Sequence, residues 1–261
     1  MRSNFRTNFL AVATLFLFSS CGGDSANDSS TAAPESEATA VDSTPMGTAS
    51  ITGSITFSGT APEMPRIRQD RECSELNEMP VMAETVIVNE NGMLKNVFVH
   101  VTEGLGEYSF TPPAEPVVFD QRGCTYSPHV FGIQVGQDLK ILNSDPLLHN
   151  IHALAEKNRP FNFGMPNKGD ERIRSFRVSE VMMKIKCDVH PWMGGYAGVV
   201  DHPFYDVSGD DGGFMIENLP PGEYVIEAWH EEYGTATQNV TVADSAQVSI
   251  GFEFGAGTGT G

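Results

Sequence analysis

Cys187-Asp188-Val189-His190-Pro191-Trp192-Met193 sets a thiol, an imidazole and a thioether within seven residues. Residues 182–186 run into this stretch and residues 196–200 run out of it, both patterned as strands, so the seven residues read as a loop. Upstream, residues 117–119, 130–135 and 139–143 repeat the short-strand pattern, the last two joined at Gly136-Gln137. Further out, residues 51–57 alternate apolar and small polar side chains, and residues 85–88 and 94–101 flank Asn91-Gly92, a hairpin signature. Beyond the loop, Asp210-Asp211-Gly212-Gly213 and Leu219-Pro220-Pro221-Gly222 punctuate strand patterns at residues 214–216, 224–229, 238–242 and 247–254. Turns at this spacing, with almost no helical periodicity, predict an all-β chain built of β-sandwiches.

A strand ending in His149-Asn150-Ile151-His152 lies thirty-eight residues before Cys187. One sulfur, two ring nitrogens and a weak axial thioether suit an electron-transfer copper, because the sulfurs hold Cu(I) while the imidazoles also accept Cu(II). The candidate ligands are therefore His149, Cys187, His190 and Met193. Pro191 and Trp192 should stiffen the loop and exclude water from it, and His190 should turn one ring edge to the surface as the electron path. His152 reads as a packed or surface residue. His129 and Cys124 could lie near the metal, although a buried histidine and a structural disulfide are the simpler reading. His100, His202 and His230 have no partner at ligand spacing. The Asp210–Gly213 turn has too few ligands for calcium. Signatures of covalent haem, serine hydrolases and zinc peptidases are absent from the sequence.

The 261-residue chain opens with Arg2 and Arg6 ahead of a short apolar run at residues 9–18, the pattern of an export signal over residues 1–20. Phe18-Ser19-Ser20-Cys21-Gly22 resembles a bacterial lipobox, which implies lipidation at Cys21 and a protein anchored in a membrane without spanning it. Gly22 in place of Asp favours the periplasmic side of the outer membrane within the cell envelope. Residues 21–49 are polar and small and read as a disordered tether, as does the Gly/Thr tail at residues 255–261. A formal net charge of -18 argues against nucleic acid and against adsorption to acidic lipid. Eight of the sixteen basic residues nevertheless fall between Lys157 and Lys186, with three acids among them; a solvated face is the plain reading and a docking patch the sharper one. With Cys21 assigned to lipid and Cys187 to metal, counting leaves Cys73 and Cys124, which should pair as a disulfide in an oxidising compartment.

Two resemblances follow from these residues. Residues 117–200 resemble a cupredoxin: Tyr126-Ser127-Pro128-His129-Val130 with Val135-Gly136-Gln137, then Asn143-Ser144-Asp145 with His149-Asn150, then Cys187-x2-His190-x2-Met193 at the short amicyanin-like loop spacing. The resemblance implies a mononuclear type 1 copper held by His149, Cys187, His190 and Met193, with Asn150 tethering the ligand loop by hydrogen bonds. Residues 153–181 look longer and more basic than the matching cupredoxin region, and Lys184-Ile185-Lys186 replaces an aromatic strand. Residues 206–254 resemble a carboxypeptidase-regulatory-like, or transthyretin-like, β-sandwich through Asp210–Phe214, Leu219–Tyr224 and Glu227–His230, and residues 51–57 and 96–99 look like its opening strands.

The organisation expected is thus residues 50–113 and 203–254 as one sandwich, with a copper domain at residues 114–202 inserted into it or following it. The function expected is one-electron transfer with a redox protein, such as a c-type cytochrome or a dehydrogenase, and no enzymatic step. A non-redox module binding carbohydrate or protein, or a copper carrier, is the alternative.

Overall fold

The computed structural model describes residues 46–255, and the export signal, the lipidation at Cys21 and most of the tether lie outside the described residues. The elements in chain order are β1 (Ala49–Ser58), α1 (Arg71–Ser74), β2 (Phe98–Glu103), β3 (Val117–Arg122), β4 (Thr125–Ser127), β5 (Val130–Gln134), β6 (Leu139–Asn143) and β7 (His149–Ala153). They continue as β8 (Phe161–Met165), β9 (Glu171–Arg174), β10 (Glu180–Lys186), β11 (Gly194–Val200), β12 (Tyr205–Val207), β13 (Gly213–Leu219), β14 (Gly222–His230), β15 (Gly234–Val242) and β16 (Gln247–Gly255). The described residues are all-β apart from the single turn of α1. Among the described residues no helix is long and apolar enough to cross a membrane.

Period-2 alternation sends one side of each strand inward, and the inward residues form two principal cores. The first core joins Ile51 and Ile55 of β1 to Val99 and Val101 of β2, Phe214 and Ile216 of β13, Ile226 of β14, Val240 of β15 and Phe252 and Phe254 of β16. Its sheets are β13-β1-β16 and β12-β2-β14-β15, so strands from both ends of the described chain interleave. The second core gathers Phe119, Phe131, Ile133, Ile141, Ile151, Met165, Ile185 and Val199 between the sheets β5-β11-β10-β7-β8 and β4-β3-β6-β9.

A small third cluster, Phe98 with Val130 and Val200, bridges the two. It depends on glycine. A Cβ at Gly132 would enter the rings of Tyr205 and Phe98, and one at Gly198 would enter Phe98, so the β5–β11 sheet approaches β2 and β12 only because both positions lack a side chain.

Three local expectations differ from the structure. The Asn91-Gly92 turn forms, with Gly92 at φ 74, but the long hairpin around it contracts to the single bridge Val88↔Leu94. Asn89 Oδ1 takes the N–H groups of Asn91 and Met93, and Asn96 at φ 63 breaks the strand before β2 begins. Strands β8 and β9 lie within residues 153–181, a region noted for its length and basic charge and for which no strand is expected from the sequence. Finally, α1 forms under an Asp70 cap, whose carboxylate accepts from Cys73 N at 2.8 Å.

Candidate metal centre

β10 and β11 pair in register up to Lys186↔Gly194, leaving residues 187–193 as the connecting loop. Two backbone bonds, Cys187 N to Met193 O at 3.1 Å and Met193 N to His190 O at 3.0 Å, fold the loop back on itself. Cys187, His190 and Met193 are consequently all buried, while Asp188 and Val189 point outward. β7 pairs with β10 through His152↔Lys186 and Ala153↔Ile185, and that register sets His149, the first residue of β7, beside the loop. His149 Nδ1 lies 2.9 Å from His190 Nδ1, and Cys187 Sγ lies 3.9 Å from His190 Nδ1. Ligand atoms of His149, Cys187 and His190 all fall within 4.8 Å of one another, in a buried cluster.

The side chains around this cluster aim its donors. Asp145 Oδ2 accepts from His149 Nε2 at 2.9 Å, and the same carboxylate accepts from Gly123 N and Cys124 N at 2.8 Å each. Asp145 holds the Nε2 proton of His149, so Nδ1, which faces His190, is the nitrogen that a bound metal would take in place of its proton. Asp145 is the functional residue that sequence reasoning left without a role; its four-residue offset from His149 was the available signal.

Asn150 Oδ1 accepts from Asp188 N, and Asn150 Nδ2 donates to Asn162 Oδ1, so Asn150 pins the loop just after Cys187. Tyr126 OH donates to Asn150 O at 2.6 Å, holding the same strand end from below. Trp192 stacks obliquely on His190 with centroids 5.2 Å apart and donates from Nε1 to Cys124 O at 3.0 Å. Pro191, beside it, is exposed.

The electrostatics match a thiolate site. Burial pushes the Cys187 thiol up, but a hydrogen bond from His149 and backbone N–H groups of Asn150, His190 and Val189 outweigh it and hold the thiol below its ordinary value. Burial pushes His149 down, yet Asp145 and the thiolate together raise it to about 9. Burial, and then the charge on His149, lower His190. The donor set is soft and borderline: one thiolate, two imidazoles and a buried methionine nearby, with Asp145 turned to the far side of His149. Such a set fits copper, and the thioether argues against a hard cation.

The remaining sequence candidates sort differently. Cys73 and Cys124 form a disulfide with Cα atoms 5.6 Å apart. It is not remote from the cluster: atoms of Cys73, Cys124 and His190 lie within 4.8 Å of one another. The bridge straps residues 66–80 across the ligand loop, and Asp70 Oδ2 comes to 3.8 Å from His190 Nε2. His190 is only 6% exposed, so the ring edge expected at the surface is covered instead. Counting could pair the two cysteines but could not say what their bridge lies over.

His129 stands apart from the cluster, bonded through Nδ1 to Gly194 O at 3.1 Å and through Nε2 to Glu231. His152 reaches Asp188 at 3.0 Å and is no part of the cluster. His100 and His202 stack with centroids 6.5 Å apart beside the first core, and His230 is buried against Tyr233.

Fold and site together define a class: a β-sandwich with a buried cluster of two histidines and one cysteine that could hold a metal ion, Cys187 and His190 on the β10–β11 loop and His149 at the start of β7. No family model matches the chain, and no curated protein sequence does. Among solved structures, the chain is similar to a Cu-containing nitrite reductase from Thermus scotoductus at 21% identity, over 38% of this chain and 25% of that one, with a TM-score of 0.31. It is also similar to a purple cupredoxin from Nitrosopumilus maritimus at 26% identity, over 32% of this chain and 98% of that one, with a TM-score of 0.27. An amicyanin variant in its Cu(I) form is similar at 20% identity, over 37% of this chain and 96% of that one, with a TM-score of 0.29.

Proposed function

We propose that the chain binds one copper ion of the type 1 kind through His149, Cys187, His190 and Met193, and serves as a one-electron carrier in the cell envelope, lipid-anchored at Cys21. The observation that carries this reading is the convergence of ligand atoms of His149, Cys187 and His190 within 4.8 Å of one another in a buried cluster, with Asp145 bonded to the far nitrogen of His149. Bound copper supplies exchange between Cu(II) and Cu(I). The chain's own residues do the rest. Asp145 keeps His149 in the ligating tautomer, backbone N–H groups stabilise the thiolate, and Asn150 and Trp192 fix the loop so that little rearrangement accompanies electron gain or loss. A carrier of this kind needs no acid–base pair and is not an enzyme.

The placement of β1 between β13 and β16, and of β2 between β12 and β14, supports reading residues 114–202 as a copper domain inserted into a second sandwich. Protein-film voltammetry of the copper-loaded chain should give a reversible one-electron wave that Cys187→Ser abolishes. Tight copper binding without such a wave would favour a copper carrier instead.

A further inference from the structure

If residues 66–80 close the His190 edge, an electron must enter the site from another side. The strap itself offers an acidic protein no net attraction, since the exposed Asp70, Glu72, Glu75 and Glu78 outnumber the exposed Arg66, Arg68 and Arg71, and Arg71 is already paired with Glu75. Beside the ligand loop, joined to it through Asn162, lies a recess of about 820 Å³ between residues 157–163 and 174–178. Four cations line it, Lys157, Arg159, Arg174 and Arg177, and no acidic residue does. None of the four forms an ion pair among the described residues. Such a concentration is unexpected in a chain of net charge -18, where counter-charges are plentiful.

The recess is built rather than incidental. Its floor carries Phe161 and Phe163, stacked with centroids 5.6 Å apart, and the Arg174 guanidinium lies 4.8 Å from the Phe163 centroid. Its two walls are joined by one buried pair. Asn158 Oδ1 accepts from Arg177 N at 2.8 Å, and Asn158 N donates to Glu180 Oε2 at 2.8 Å. Both side chains are buried, so the cations stand on a fixed frame.

The recess also touches the metal loop. Asn162, on its rim, donates from Nδ2 to Asp188 Oδ2 at 2.8 Å, and Asp188 is bonded directly to Cys187. Lys157, Arg159 and Arg177 are exposed and Arg174 half-buried, which suits steering a large partner more than desolvating a small anion.

Resting on the carrier reading above, we propose that this basic, aromatic-floored recess is the docking surface for an acidic redox protein. The electron path runs from the partner through Asn162 and Asp188 to the Cys187 sulfur. One electron leaves the partner's reduced centre and one is gained at the copper–thiolate site, with no bond or proton changing place.

The test uses the full-length chain and a plant-type [2Fe–2S] ferredoxin as an acidic one-electron donor. Titrating the metal-free protein with oxidised ferredoxin at low salt should perturb backbone amides at residues 157–163 and 174–178. The double variant Arg159→Glu/Arg177→Glu should weaken that binding roughly tenfold or more, and the loss should fade as salt is raised. In stopped flow, the same variant should slow reduction of the copper-loaded protein by reduced ferredoxin about tenfold at low salt. Its reduction by neutral hydroquinone should be unchanged. Amide shifts confined to residues 66–80, or ferredoxin binding indifferent to the charge reversals, would overturn the proposal. So would a variant that loses only its affinity for phosphatidylglycerol vesicles, which would make the recess a lipid contact. A chain that takes up no electron when copper-loaded would count against the carrier reading, while the metal-free titration would still judge the surface by itself.

Discussion

Asp145 ties three parts of the molecule together, because one carboxylate accepts from His149 Nε2, Gly123 N and Cys124 N. Its task is to fix which nitrogen of His149 is bare. An amide in its place would offer a donor to Nε2 and move the imidazole proton to the ligating atom. Asp145→Asn should therefore weaken copper binding about 10–100-fold in a competition titration, with the fold intact by circular dichroism. Unchanged affinity would show that the loop alone orients the ring. The same geometry links metal to proton. In the metal-free protein His149 is raised to about 9, so copper uptake at neutral pH should release about one proton, measurable by pH-stat. The cluster of His149, Cys187 and His190 could be picked out from residue type and spacing, although the strand expected to end at residues 149–152 instead begins at His149. Asp145 could not, because nothing in a sequence says which nitrogen of an imidazole is occupied.

At the level of elements, the hairpin β10–β11 and the strap over it behave as one unit. Closing a loop between residues 51 apart, the Cys73–Cys124 bridge should contribute about 4 kcal/mol by restricting the unfolded chain. Selective reduction should lower the denaturation midpoint accordingly. Peptide mapping should recover Cys73 and Cys124 as one bridged pair and Cys187 alkylated alone; three alkylated cysteines at residues 73, 124 and 187 would contradict the arrangement. On the other side of β11, Gly198→Val would drive a side chain into Phe98 and should cost about 1–3 kcal/mol in urea unfolding. Most strands of both cores could be read from their alternation, β8 and β12 excepted. The strap could not, because residues 66–82 have neither helical nor strand periodicity and are placed by a distant sulfur. β9 escaped notice for a related reason: three of its four residues are exposed, so no buried face marks it.

Over the whole molecule, histidine titration sets opposing demands on stability. Burial holds His202 and His230 down to about 4, against an ordinary value of 6.5. Each therefore contributes about 3 kcal/mol above pH 6.5 that is lost as pH falls toward 4. His149 acts in the opposite sense: its contribution is complete below pH 6.5 and disappears as pH rises through about 9 in the metal-free protein. The melting temperature of the metal-free protein should peak near pH 6.5 and fall on both sides. A flat profile from pH 4 to 6.5 would mean that His202 and His230 are protonated without cost in the fold. The interleaving of β1 and β2 with strands from β12 onward was only partly visible in the sequence, since pairing between residues roughly a hundred or more apart leaves no local trace.

The central claim is a copper–thiolate bond at Cys187, and the optical spectrum of the Cu(II)-loaded chain tests it most directly. An intense band at about 600 nm, absent from Cys187→Ser loaded under the same conditions, is the predicted result. A colourless wild-type protein that nonetheless binds one copper, or a Cys187→Ser variant that keeps the band, would contradict it.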